Sequence, residues 1–123
     1  MTYAIQLFHE DNIVNVCHTG VIDKIEMNTG KNDSFFQLTY HSWNKILLDL
    51  TDAEFQLLAT DVALTFKDLN HKHPTGVFLA VVKPAKIDFD YCQYAKTIAI
   101  AWSNFQIEVF TDKGSALEWL RKQ

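Results

Sequence analysis

KILLDLTDAEFQLLATDV, residues 45–62, is the stretch whose reading decides the fold. Lys45 to Leu50 is almost continuously apolar. A run of that length without alternation is the pattern of a strand buried on both faces, as in a parallel sheet. A helical pattern follows, with Phe55, Leu58, Val62, Phe66 and Leu69 on one side of a 3.6-residue period. Two helix starts are compatible with it. Thr51 and Glu54 have the spacing of a capping box, and Thr60-Asp61 offers a second start. Spacing alone leaves both open, and the main helix is expected over 60–69.

Upstream, Tyr3, Ile5 and Leu7 alternate with Ala4, Gln6 and Phe8, the period of a strand. A polar turn, His9 to Asn12, separates it from a second strand over 13–19, which predicts an antiparallel hairpin. Residues 21–44 read as broken: a short helix over 21–27, a loop over the breaker-rich residues 28–33, and a second short helix, Phe35 to Ser42, capped by Ser34. Downstream, residues 70–75 form a polar loop with Pro74, and GVFLAVVKP (76–84) gives a second buried strand over 76–82. Asp88 or Asp90 caps a helix over 89–102 with Tyr91, Ala95, Ile98 and Trp102 on one face. Residues 106–110 alternate as a strand. Thr111 or Asp112 caps the last helix, 113–121, anchored by Ala116, Leu117 and Leu120. Strand and helix alternate after residue 45, so right-handed crossovers and a mostly parallel sheet are expected. The fold class is α/β: a mixed, mostly parallel sheet of four or five strands with helices packed on it, in one domain over residues 1–123. Leu48, Leu50, Val81 and Phe110 are expected to be buried.

Composition narrows the function classes. The chain has 123 residues, 48% hydrophobic, with a formal net charge of -4. That supply of apolar side chains supports a core and argues against disorder. The acidic balance gives no electrostatic footprint for nucleic acid. No window approaches the roughly 20 apolar residues of a membrane helix, and the N-terminal residues lack a secretory pattern. Cys17 and Cys92 match no metal or redox spacing and read as buried free thiols, which suits a cytoplasmic protein. No glycine-rich phosphate loop occurs.

The runs KILLDLTDAEFQLLATDV, GVFLAVVKP and FQIEVFTDKGSALEWL (105–120) together resemble the SpoIIAA-like (STAS-type) family, named after anti-sigma-factor antagonists. The resemblance spans roughly residues 3–121. It implies a sheet covered by helices and, in the regulatory branch, a serine at the start of the helix after Asp-Leu whose phosphorylation switches partner binding. This chain departs there. Aligning Asp49-Leu50-Thr51 with the family's Asp-Leu-Ser brings Leu58 to the serine position, with Thr60 the nearest hydroxyl, so a phospho-switch at 58 is impossible. Kinship with lipid-binding folds implies small apolar ligands or membrane-associated roles.

The working surface is accordingly expected in the turn and helix start after the central strand. Asp49, Thr51, Asp52, Phe55, Leu57, Leu58, Thr60 and Asp61 are its candidate binding residues, with a homodimer, a protein partner or a small apolar ligand as the occupant. The reading is a non-catalytic regulatory or binding module without cofactor. The alternative is a small hydrolase or isomerase, which needs a strand-end carboxylate, Asp49 above all, to converge with a histidine. His71 and His73 could begin a metal site but lack further ligands, so no metal is expected and a chelator should leave the melting temperature unchanged. A Cys17–His41 nucleophile pair is disfavoured because Cys17 lies mid-strand.

Overall fold

The computed structural model describes residues 3–72, 76–84, 90–102 and 105–123; the side chains of residues 66, 69–72 and 99–102 are outside that description. The elements in chain order are β1 (Tyr3–Phe8), β2 (Ile13–Ile22), α1 (Lys24–His41), β3 (Lys45–Phe55), α2 (Ala59–Lys72), β4 (Val77–Val82), α3 (Tyr91–Trp102), β5 (Phe105–Phe110) and α4 (Lys113–Arg121). The five strands lie side by side in chain order. β1 runs antiparallel to β2, and the other three pairings are parallel.

That order decides where the helices go. Each crossover from β2 to β5 steps in the same direction, so right-handed connections bring α1, α2 and α3 to one face of the sheet. Their inward side chains, among them Phe35, Leu38, Val62 and Cys92, form one core cluster with Val14, Val16, Ile46, Leu50 and Val81. After β5 the chain turns to the other face. There α4 buries Ala116 and Leu120 on Ile13, Leu47, Ala80 and Val82. Side chains alternate between the two layers along the first part of β2 and β3: Val14, Val16 and Ile46 face one layer, Ile13 and Leu47 the other.

Helix boundaries follow local chemistry. Asp23 is the N-cap of α1, its carboxylate accepting the Glu26 N–H at 2.8 Å. Asp112 caps α4 through the Ser115 N–H and hydroxyl, which hold its carboxyl below the usual range. Asp90 caps α3 through Gln93 N–H at 2.9 Å; its alternative, Asp88, lies outside the described residues. α1 ends in a Schellman-type cap, with Ser42 at φ 58 and the Trp43 N–H on Leu38 O.

The structure corrects four expectations. Residues 24–41 form one helix rather than two short ones with a loop at 28–33, and Ser34 sits inside it, its hydroxyl donating to Gly30 O at 2.6 Å. β3 continues through Phe55, so Thr51 and Asp52 belong to a strand and Thr51–Glu54 is not a capping box. The reason is β2, which runs ten residues and offers Thr19 to Ile22 as ladder partners for Asp52 to Phe55, after a bulge between Cys17 and Thr19. α2 begins at the second candidate start, with Asp61 Oδ2 accepting the Leu58 N–H at 3.0 Å and Asp61 N–H donating to Leu58 O, and runs past Asn70 to Lys72. Finally, Leu50 and Val81 are buried at 4% exposure, but Leu48 and Phe110 are only half-buried, as is Cys17. For Leu48 the cause is the cavity described next. Among the described residues no helix is long and apolar enough to cross a membrane.

Candidate functional site

Between the sheet and α1, α2 and α3 lies a cavity of about 150 Å³, partly open to solvent. The floor is the α1–α3 face of the central strands: Val16, Ile46, Leu48, Leu50, Leu79 and Val81. Met27, Gly30, Lys31 and Phe35 come from α1, Val62 and Thr65 from α2, and Tyr91, Cys92 and Ala95 from α3. The wall is nearly all hydrocarbon. Enclosed cavities of about this size lined by Leu, Ile and Phe take up molecules such as benzene; this one shares their lining but is not closed.

The cavity exists because its helices are held apart. α2 packs on α3, and α1 packs on β2. α1 meets α2 sparingly, through Lys31–Asp68 at 3.0 Å and the Thr65 hydroxyl 3.8 Å from Met27 Sδ. At the other side Tyr91 donates its hydroxyl to Leu57 O and stacks, tilted, on Phe55 at 4.9 Å. Small residues, Gly30, Ser34 and Ala95, leave the volume between these contacts unfilled.

Most polar groups on the wall are already engaged. Lys31 is paired, the Ser34 hydroxyl is bound to Gly30 O, and the Thr65 hydroxyl donates to Asp61 O at 3.0 Å. Burial pushes the Cys92 thiol up to about 12, so it is inert. His18 differs. It is 5% exposed, lines the cavity, and its Nδ1 has no hydrogen-bond partner among the described residues. Its ring packs against Tyr3 at 5.4 Å. Its Cε1–Nε2 edge lies so near α1 that a Cβ on Gly30 would fall 3.1 Å from Cε1 and 3.2 Å from Nε2. The glycine inside α1, unfavourable for a helix by about 1 kcal/mol, is what admits this ring.

Burial lowers the His18 pKa below its ordinary 6.5, and Glu26 opposes the shift more weakly. The folded state therefore takes up a proton less readily than the unfolded chain. Its contribution to stability is complete above about pH 6.5 and is lost as pH falls through the folded pKa. Chemical denaturation at about pH 7.5 and about pH 5 checks this. The native chain should lose more stability than His18→Phe over that interval, and equal losses would contradict it.

The sequence-derived candidates divide. Phe55 and Leu57 line the cavity, and Leu57 is 8% exposed. Leu58 points outward at 69% exposure, and Thr60 is exposed beside it. Asp61 serves the start of α2. Asp49 pairs in register with Cys17 and shares the α4 face with Leu47, where its Oδ1 accepts from the Thr51 N–H and hydroxyl at 3.1 and 2.6 Å. Thr51 and Asp52 are exposed. The set is therefore not one surface. Asp49 and His18 are on opposite faces of the sheet, so the carboxylate–histidine convergence required by the hydrolase reading is not made by that pair. His9 and His41 gather instead with Trp43, His41 stacked on Trp43 at 4.5 Å, beside the start of β3. Cys17 lies four residues further along β2 from Ile13, the partner of Lys45, and its thiol pKa is raised by burial and by Asp49. Among the described residues no group of three or more His, Cys, Asp or Glu side chains could hold a metal; His71 and His73 fall outside the described side chains.

Sequence reasoning missed His18 and the α1 wall. Two signals existed: Asp23 followed by Glu26, a helix-start spacing, and Met27, Ser34, Phe35 and Leu38 at helical intervals.

No protein-family model matches the sequence, and no curated protein matches it. Among solved structures, an uncharacterized protein of the DUF3478 family from Shewanella loihica PV-4, described as having a SpoIIAA-like fold, superposes with a TM-score of 0.57 at 16% identity. The match covers 96% of this chain and 91% of that one. The chain has the SpoIIAA-like fold. The resemblance read from the apolar runs is thus correct at the level of architecture, and this SpoIIAA-like chain carries Leu58 just ahead of α2.

Proposed function

We propose that this SpoIIAA-like chain is a non-catalytic binding module whose cavity beneath α1, α2 and α3 holds a small apolar ligand. The cavity itself carries the reading: about 150 Å³ lined by Leu, Val, Ile and Phe side chains, at an interface that close packing would otherwise have filled. A regulatory role follows if occupancy alters how α1 and α2 present their outer faces. A cytoplasmic location fits the same reading, since Cys17 and Cys92 are free thiols.

Benzene tests the reading, with thermal melting of the intact chain as the readout. At about ten times its dissociation constant benzene should raise the melting temperature by about 3–8 °C. Leu48→Phe, which fills the cavity from the floor, should melt higher than the native chain without benzene and respond to benzene little. A native chain indifferent to benzene would contradict the reading.

A second reading, contact with a protein partner or a second copy, draws on Leu58 and Leu64, which are 69% and 58% exposed around the first turns of α2. Light scattering of Leu58→Asp against the native chain checks it. An unchanged mass in solution removes the dimer through this surface.

A further inference from the structure

The elements around the cavity hold one another unevenly. The sheet forms the floor, α1 is packed on β2, α3 on β5, and α2 on α3. The chain just ahead of α2 is pinned by the Tyr91 hydroxyl, which donates to Leu57 O, and by Phe55, whose ring lies 4.9 Å from that of Tyr91. The weak link in this ring is the seam between α1 and α2. Among the described residues no comparable packing joins those two helices. They are tied through side chains, Lys31 to Asp68 at 3.0 Å and the Thr65 hydroxyl to Met27 Sδ at 3.8 Å.

Lys31 spans the wall at this seam. It lines the cavity, and its side chain is 11% exposed. Asp68 is outside the lining, and its side chain is 44% exposed. The ion pair therefore joins the cavity wall to the outer surface through two side chains. Lysine suits a movable barrier, because its four-carbon stem can lie along hydrocarbon while its ammonium reaches water. Swinging the stem outward exchanges a partly exposed ion pair, a weak interaction, for hydration of both charges. The second tie is no stronger. When the Thr65 hydroxyl leaves Met27, it keeps its bond to Asp61 O at 3.0 Å, and the methionine side chain adapts readily. Opening here asks no helix to unfold.

We propose that the α1–α2 seam is the entrance to the cavity and that the Lys31–Asp68 ion pair is its latch, parting to admit a ligand and re-forming behind it. The inference rests on the binding-module reading and adds to it the route and the residues that control it. A latch changes rates rather than affinity. The pair is closed in the empty and the occupied chain alike, so weakening it speeds entry and exit by the same factor.

Fluorobenzene, close to benzene in size, is the probe, and ¹⁹F exchange spectroscopy on the intact chain reads its association and dissociation rate constants. Asp68→Asn removes the outer charge and leaves the cavity lining intact. It should raise both rate constants together by about twofold to fivefold, the range that a partly exposed ion pair supports, with the dissociation constant unchanged. Raising the ionic strength from about 0.05 M to about 0.5 M should speed exchange in the native chain and leave Asp68→Asn nearly unaffected, a response that lost packing would not produce. Should Asp68→Asn fail to fold, the salt series on the native chain and Lys31→Met, which keeps an unbranched stem without the charge, decide in the same way. Rate constants equal to those of the native chain, or a rise in dissociation alone, would show that the pair is no latch while the binding module stands. If fluorobenzene does not bind the native chain, both readings fail.

Discussion

Leu47→Ala should cost about 2–5 kcal/mol of unfolding free energy, and the neighbouring Leu48→Ala only about 1–2 kcal/mol. The two side chains have the same size and adjacent positions on the central strand. Leu47 is 0% exposed and packed beneath α4, so its removal leaves a new void in a closed layer. Leu48 borders a space that already exists, so its removal forfeits transfer energy without creating the same cavity. Denaturant unfolding of both variants measures the contrast. Equal losses would mean that the α1–α3 layer is as tightly packed as the α4 layer, which the cavity forbids.

A second adjacent pair should differ further. Leu57→Asp is expected to lose about 3–5 kcal/mol at neutral pH, because it gives up a buried leucine and brings a carboxylate into the apolar wall. Leu58→Asp should change stability by less than about 0.5 kcal/mol, since the side chain is 69% exposed. The sign of the pH dependence is also set. Burial raises the introduced carboxyl above its unfolded value, so the loss in Leu57→Asp should shrink as pH falls toward about 4 and the group protonates in both states. A Leu57→Asp variant as stable as the native chain would show that residue 57 faces solvent and that the cavity is bounded differently.

The layer order was legible because it rests on the strongest periodicities. KILLDL and VFLAVV announce central strands, and a strand–helix alternation with right-handed connections leaves few arrangements. The α4 boundaries follow from Asp112 and Ser115, whose cap is local and needs no tertiary contact. What failed was non-local. Thr51–Glu54 looks like a helix start on its own, but β2 extends far enough to recruit those residues into the sheet. Residues 28–33 contain Asn, Gly and Asp, each a helix breaker in isolation, yet α1 passes through them because Phe35 and Leu38 bury on one side of it and His18 needs the gap at Gly30. The cavity could not be read at all. It arises from small side chains on three helices meeting one sheet face, and no window of sequence contains that coincidence.

Crystals held under xenon pressure test the central claim most directly, since xenon enters apolar cavities of this size without needing a polar partner. The account predicts xenon density against Leu48, Leu50 and Val81, facing Phe35 and Phe105, and its disappearance in Leu48→Phe. A crystal in which that space is filled by the chain's own side chains, with xenon bound elsewhere or not at all, would contradict it.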